Sequence, residues 1–291
     1  MFAGLLRAMR PHQWVKNLFV LTPIMFAREL FHAPSVLRAL AGFVAFSFAA
    51  SAVYLLNDLT DLEADRAHPV KRSRPIASGR VPPFVVRRAA LVLVVAALGG
   101  GLAIAPMFAA ITFGYLLQNV VYSRWLKKLP YVDVLSIAFG FELRVLAGAA
   151  AAGVAASNYL LIVTFLLAVF LGLGKRMHEL RQGESAHKQR EVLKGYRKGP
   201  VTVMMVLTAL ATVSTYAVYT LEPSTREFFH TDRLVWTTPF TLIGVLRFLV
   251  LVRGSANAES PTEEMLRDVP FLANLAMWTA AIFFVIYLGG S

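Results

Sequence analysis

Residues 36–65 read VLRALAGFVAFSFAASAVYLLNDLTDLEAD. From Val36 to Leu56 almost every residue is Ala, Val, Leu, Phe or Ser, a run long enough to cross a bilayer core at about 1.5 Å per residue. The run ends in Asn57-Asp58-Leu59-Thr60-Asp61-Leu62-Glu63-Ala64-Asp65 and gives way to a strongly basic segment reaching Arg88. A transmembrane helix that leaves the bilayer in a cluster of carboxylates is the feature around which the rest of the chain is read.

If the helix continues through the motif, Asp58, Asp61 and Asp65 fall at i, i+3 and i+7 with Asn57 beside them, so their oxygens share one face and Glu63 points elsewhere. Carboxylates at a helix C-terminus are opposed by the macrodipole and repel one another, so a cation is expected among them. Hard oxygen donors with no Cys or His in the motif suit Mg²⁺, which takes one or two carboxylates and completes its shell with substrate phosphates and water. The alternative is a solvated acidic helix end that balances the basic loop after it. An EF-hand is excluded, because the D-x-[DN]-x-[DN]-G pattern is absent.

Outward from this motif the chain is 57% hydrophobic and 16% charged, with a mean hydropathy of +0.60, which makes it an integral membrane protein. Apolar runs at 13–31, 36–58, 82–104, 106–122, 132–153, 157–174, 200–221, 234–252 and 270–289 predict an all-α membrane protein of about nine transmembrane helices, forming one domain over 1–291. No period-2 alternation of the outer-membrane barrel kind is present. Of the 29 Lys and Arg, 25 fall on the N-terminal side once Arg144 and Arg247 are counted there, leaving Arg28, Arg38, Arg226 and Arg233 opposite. This asymmetry predicts a cytoplasmic N-terminus and a cytoplasmic acidic motif. The net charge of +12 lies in membrane-flanking loops without a nucleic-acid motif, so anionic lipid and phosphorylated substrates are the expected partners, not nucleic acid. With no cysteine, disulfides, thiol catalysis and thiolate metal sites are excluded.

Arg7 and Arg10 ahead of an apolar stretch resemble a signal peptide, but Lys16 interrupts it and eight spans follow, so an uncleaved first helix is expected. Gln13, Lys16 and Asn17 are polar for an inserted helix and suit a phosphate headgroup, or Lys16 snorkels to the surface. The stretch His68-Pro69-Val70-Lys71-Arg72-Ser73-Arg74-Pro75 has a backbone stiffened by two prolines, and it sets Lys71, Arg72 and Arg74 beside the acidic motif as phosphate ligands. Further along, Tyr122 and Lys127 flank a connection. Asp133 and Arg144 are eleven residues apart on one predicted helix and can line one face, or each pairs with a neighbouring helix. Lys175, Arg176 and Glu179 end another span; Lys175 and Glu179 at i, i+4 read either as a surface pair or as cations facing the acidic motif. Near the C-terminus, Ser260 or Thr262 is expected to cap a short helix.

The motif Asn57-Asp58-x-x-Asp61-x-x-x-Asp65 resembles the first signature of the UbiA superfamily of intramembrane prenyltransferases. Several further stretches resemble its branch of decaprenyl-type polyprenyl-phosphate phosphoribosyltransferases. These are Arg10-Pro11 with Gln13 to Asn17, His68-Pro69 with Lys71-Arg72 and Arg74 to Ala77, and Tyr122-Ser123 with Lys127, Pro130 and Asp133. Arg144 with Ala147-Gly148, Lys175-Arg176 with Glu179, and Pro261 to Glu263 extend the likeness nearly end to end. The chain departs from the wider superfamily after its sixth span, where Lys175-Arg176-Met177-His178-Glu179 stands in place of a second aspartate-rich motif.

The resemblance implies a bundle with a cytoplasm-facing active-site cavity and Mg²⁺-dependent transfer of 5-phosphoribosyl from phosphoribosyl pyrophosphate to a polyprenyl phosphate in cell-envelope lipid-linked sugar synthesis. It implies that Asp58, Asp61 and Asp65 act through the metal. Asn57, Lys71, Arg72, Arg74, Tyr122, Lys127, Asp133, Arg144, Lys175, Arg176 and Glu179 would bind the donor, and Gln13, Lys16 and Asn17 the lipid phosphate. Two other readings stand beside it: an aromatic prenyltransferase of the same fold using a prenyl diphosphate, and a transporter of phosphorylated lipid or metal. A transporter needs polar residues along a continuous path, whereas here they gather on one side. Oligomeric state is not legible in the sequence.

Overall fold

Prolines open most of the helices, at the position where a missing backbone N–H costs nothing and a fixed φ is already helical. The structure, a computed structural model, describes residues 1–181, 191–254 and 261–289, and among these there is helix and no strand. In chain order the helices are α1 (Phe2–Met9), α2 (Thr22–Phe26), α3 (Ala33–Thr60), α4 (Leu62–Ala67), α5 (Pro83–Ile104), α6 (Pro106–Arg124), α7 (Val132–Ala152) and α8 (Asn158–Arg181). They continue as α9 (Lys198–Leu221), α10 (Pro223–Phe229), α11 (Thr238–Gly254), α12 (Pro261–Met265) and α13 (Val269–Phe283).

Seven helical stretches among the described residues are long and apolar enough to cross a membrane, and the chain is a multi-pass membrane protein. The predicted count of nine differs at the first and fourth runs. The fourth is present as the 19-residue α6, which is not among the seven. In place of the first, Pro11–Leu21 winds as a 3₁₀ helix, followed by the five-residue α2. At ~2.0 Å per residue the 3₁₀ segment rises roughly 22 Å, short of a bilayer core of about 30 Å. Three residues per turn also puts Trp14, Asn17 and Val20 along one edge of the segment.

The chain forms two compact units. The first comprises residues 1–124 and 143–156. Its core gathers Phe46, Ala49 and Ala50 of α3 with Phe108 and Tyr115 of α6 and Ala147 of α7. Backbones approach closely where side chains are absent: a Cβ on Gly148 would lie 1.9 Å from the Val20 carbonyl oxygen, and one on Gly42 2.8 Å from Ala151. Helix α1 packs Leu5, Ala8 and Met9 against Leu55, Ile76, Val81, Val86 and Ala90, with Gly4 against Val81. This seats the residue 75–81 turn and, with it, Arg74.

The second unit comprises residues 125–142 and 157–291. Its core is built from Phe170, Leu173 and Met177 of α8, Val201 and Met205 of α9, and Phe248 and Val252 of α11. Arg247 of α11 makes a two-pronged ion pair with Asp268, at 2.9 and 2.6 Å, and Asp268 also caps α13 through the Phe271 N–H at 2.8 Å. The hydrogen bonds from Arg247 hold the Asp268 carboxyl below the usual carboxylate range. Thr262 lies inside α12, not ahead of it, and Ser260 lies outside the described residues.

Candidate active site

The helix that carries the acidic motif does not run through it. Helix α3 ends at Thr60, Asp61 takes φ −93° and ψ 10°, and α4 resumes at Leu62. The backbone bonds from Asp61 N–H to Asn57 O at 2.9 Å and from Asp65 N–H to Asp61 O at 2.8 Å survive, so the break is a bend. Thr60 Oγ1 donates back to the Leu56 carbonyl at 2.9 Å, a contact that tilts helices, and it does so where clustered carboxylates already oppose the helix dipole. Asp58 and Asp65 turn inward, 5% and 3% exposed, and converge, while Asp61 sits at the corner.

Both inward carboxylates meet one nitrogen: Arg74 Nη1 lies 2.7 Å from Asp65 Oδ2 and 3.4 Å from Asp58 Oδ1. A second guanidinium, Arg10, donates to Asp58 Oδ1 at 2.6 Å and lies 5.1 Å from the Tyr54 ring centroid. Arg10 has φ 55° and ends α1 in the left-handed region. No three His, Asp or Glu side chains among the described residues stand close enough to cage an ion. Asn57 Oδ1 accepts from Ser123 Oγ at 2.6 Å, which fastens the motif to the end of α6 beside Tyr122.

A line of polar side chains leads away from Asp58 into the unit. Ser47, Ser51, Tyr54 and Asp58 follow one another at spacings of four, three and four, one face of α3. They meet the 3₁₀ segment rung by rung: Asn17 Nδ2 donates to Ser47 Oγ at 3.0 Å, Trp14 Nε1 to Ser51 Oγ at 3.0 Å, and Arg10 to Asp58. At the deep end Arg144, 6% exposed, donates from Nε to Asn17 Oδ1 at 2.9 Å and from Nη2 to the Tyr115 hydroxyl at 3.1 Å. Its guanidinium lies 4.9 Å from the Tyr115 ring centroid and 5.4 Å from that of Phe46. Gln13 is buried and Lys16 half-buried on the same segment, so all three residues expected at a lipid phosphate share the short element that begins directly after Arg10.

In the loop after α4, Lys71 is half-buried and Arg72 exposed. His68 Nδ1 accepts from the backbone N–H groups of Val70 and Lys71 at 3.2 and 3.3 Å, which places the ring proton of neutral His68 on Nε2, a buried atom with no hydrogen-bond partner.

In the second unit Asp133, 1% exposed, is held by two groups. Tyr196 donates its hydroxyl proton to Oδ1, and Arg176 Nε lies 3.1 Å from Oδ2. Arg176 also pairs with Glu179 and is itself 2% exposed. The Tyr196 hydroxyl accepts the backbone N–H of Tyr131 at 2.7 Å, and burial pushes the phenol's pKa up, helped by its bond to Asp133. Tyr131 holds a left-handed φ of 67° immediately before α7, and Lys127 lies on the preceding 3₁₀ turn. Lys175 is half-buried beside Arg176 on α8.

Arg10, Ser123, Tyr115 and Tyr196 carry no expected role from the sequence. The Ser47–Ser51–Tyr54–Asp58 periodicity was a readable sign that α3 has a polar face, whereas nothing local marks Tyr196, 63 residues from the aspartate it contacts.

The family model described as the UbiA prenyltransferase family matches residues 18–224. A decaprenyl-phosphate phosphoribosyltransferase from Mycolicibacterium smegmatis is 34% identical over 97% of this chain and 93% of that protein. The protein of that name from Mycobacterium tuberculosis H37Rv is 33% identical over 96% and 93%. Among solved structures, a UbiA homologue from Archaeoglobus fulgidus bound to DMAPP and Mg²⁺ superposes with a TM-score of 0.73 at 20% identity, covering 98% of this chain and 99% of that one, a likeness of fold. The same homologue bound to GPP and Mg²⁺ gives 0.74 at 19% identity over 98% and 100%. With the motif and its bent helix in place, the chain belongs to the UbiA prenyltransferase family.

Proposed function

We propose that the protein transfers the 5-phosphoribosyl group of phosphoribosyl pyrophosphate to a polyprenyl phosphate of the decaprenyl type, releasing pyrophosphate, at the cytoplasmic face of a bacterial plasma membrane. The product is a lipid-linked sugar of the kind used in cell-envelope synthesis. The observation that carries this reading is the pair of buried carboxylates, Asp58 and Asp65, converging on one cationic position with Arg10 and Arg74 at its edge. The activity named for its relatives, which it matches nearly end to end, supports the choice of donor and acceptor.

The donor set fits Mg²⁺. Asp58 and Asp65 offer hard oxygens already gathered around a positive group, and two carboxylates are what this ion takes when phosphates complete its shell. Asp58 and Asp65 would hold it, with Asp61 at the bend and Asn57 beside them. When bound, it neutralises charge growing on the leaving pyrophosphate.

The chain's own residues do the remaining work. Arg74, Lys71 and Arg72 contact donor phosphates as charge-assisted donors, and Tyr122 adjoins them through the Ser123–Asn57 bond. Gln13, Lys16 and Asn17 receive the acceptor phosphate, with Arg144 orienting Asn17. Within the second unit Arg176 acts with Asp133 and Glu179. The acceptor's phosphate oxygen attacks the anomeric carbon opposite the departing pyrophosphate. It is already anionic at neutral pH, so alignment and charge stabilisation replace a strong general base.

Purified protein incubated with phosphoribosyl pyrophosphate labelled in the ribose and with polyprenyl phosphate tests this. Label moving into the lipid phase together with released pyrophosphate is the expected result. Prenyl transfer from a prenyl diphosphate to 4-hydroxybenzoate, with no ribosyl transfer, overturns it.

A further inference from the structure

Arg10 and Arg74 both touch Asp58, but they are held in different ways. Arg10 is fixed from behind: its backbone is locked in the left-handed turn that ends α1, and its guanidinium lies over the Tyr54 ring. Its 2.6 Å contact involves Asp58 alone. Arg74 follows the short 3₁₀ turn at Lys71–Ser73, its side chain 34% exposed against 27% for Arg10, and places a single nitrogen between two carboxylates that are 5–6% exposed. That nitrogen stands where a divalent ion shared by Asp58 and Asp65 would be held. Arg74 and the ion therefore compete for the same oxygens.

Competition of this kind has a cost that depends on what else is bound. An ion arriving alone releases Arg74 from both carboxylates with nothing anionic to replace them. An ion arriving with a diphosphate brings oxygens that a guanidinium binds at least as well, in a planar two-pronged geometry.

We propose that Arg74 is an exchangeable counter-cation. It holds Asp58 and Asp65 converged, yields their oxygens to a divalent ion that enters with a diphosphate, and turns to that diphosphate, while Arg10 stays on Asp58. The exchange makes metal and diphosphate binding strongly cooperative, so that neither binds well alone. It rests on the metal reading of the acidic pair given above, and it assigns Arg74 a positioning role that a plain phosphate ligand would not have.

The test measures the Mn²⁺ retained by the full-length protein in detergent, by equilibrium dialysis and atomic absorption, with and without inorganic pyrophosphate, so that Mn²⁺–pyrophosphate formed in free solution is not counted as bound. In the wild type, pyrophosphate is expected to tighten Mn²⁺ at least 10-fold. In Arg74→Ala, Mn²⁺ alone is expected to bind at least 10-fold tighter than to the wild type, and the gain from pyrophosphate is expected to collapse toward unity. Arg74→Lys keeps the charge but loses the planar fork, should fold if the alanine variant does not, and is expected to fall between the two. Equal Mn²⁺ affinity in wild type and both variants, with the pyrophosphate effect intact, overturns the exchange and leaves the metal reading standing. Absence of Mn²⁺ binding in every variant, even with pyrophosphate, overturns both.

Discussion

Arg144 Nε lies 2.9 Å from Asn17 Oδ1 across 127 residues of sequence. The family resemblance implies separate roles for these residues, one toward the donor and one toward the lipid phosphate, yet they form one buried contact that continues to Ser47 and Tyr115. Removing either leaves the other's buried polar atoms short of a partner. Arg144→Met and Asn17→Ala should each lower stability by about 2 kcal/mol or more. The double variant should lose about 1 kcal/mol less than the two together. Thermal or denaturant unfolding in detergent measures this, and strict additivity would show that the contact carries no energy. Both variants should also weaken the same substrate, read as parallel changes in KM.

Asp58→Asn and Asp65→Asn should each reduce turnover by about 10²-fold or more, the scale seen when transition-state charge stabilisation is removed. Chelation should stop turnover and added Mg²⁺ restore it. Full activity in chelator, or in Asp65→Asn, would remove the metal from the reaction.

The close approach of α7 to the 3₁₀ segment makes Gly148 a packing requirement. A methyl group there would sit 1.9 Å from the Val20 carbonyl, so Gly148→Ala should destabilise by about 3 kcal/mol or more or prevent folding. Gly99 on α5 has nothing within 4 Å of the equivalent position, and Gly99→Ala should be neutral or stabilise by up to about 1 kcal/mol. Equal melting temperatures for the two variants would contradict the packing.

Tyr196 joins Asp133 to the Tyr131 backbone, and Tyr196→Phe should lower stability by about 1–3 kcal/mol. Its phenol has a raised pKa in the folded protein, so its contribution is complete below the ordinary tyrosine range near pH 10 and is lost as pH rises through and beyond it. The stability gap between wild type and Tyr196→Phe should therefore narrow above about pH 10. A gap independent of pH would rule out the buried phenol as its source.

Ser224 and Ser78 are both exposed, one in α10 and one in the basic turn that carries Arg74. In a chain without native cysteine, Ser224→Cys should react with an impermeant thiol reagent in intact cells, and Ser78→Cys should react only after permeabilisation. The reverse pattern would put the acidic motif on the outer face.

The membrane class, most of the spans and the acidic motif were legible in the sequence, because each depends on local quantities. A run such as Val36–Leu56 has to be kept from water whatever its neighbours do, and clustered carboxylates such as Asp58, Asp61 and Asp65 attract cations wherever they lie. What the tertiary structure alone decided is which of those groups meet. The convergence of Asp58 and Asp65 on the Arg74 guanidinium, with Asp61 at the turn between α3 and α4, is set by backbone geometry and not by residue spacing alone. The conversion of Pro11–Leu21 to a 3₁₀ helix set the rung-by-rung contacts of Arg10, Trp14 and Asn17 with α3, which helical periodicity of 3.6 does not predict. The choice of Arg10 and Arg74 as partners for Asp58, from among many basic residues nearby, came from the packing of α1 on the 75–81 turn, because charge attracts at any sequence distance and only chain geometry selects which charge arrives.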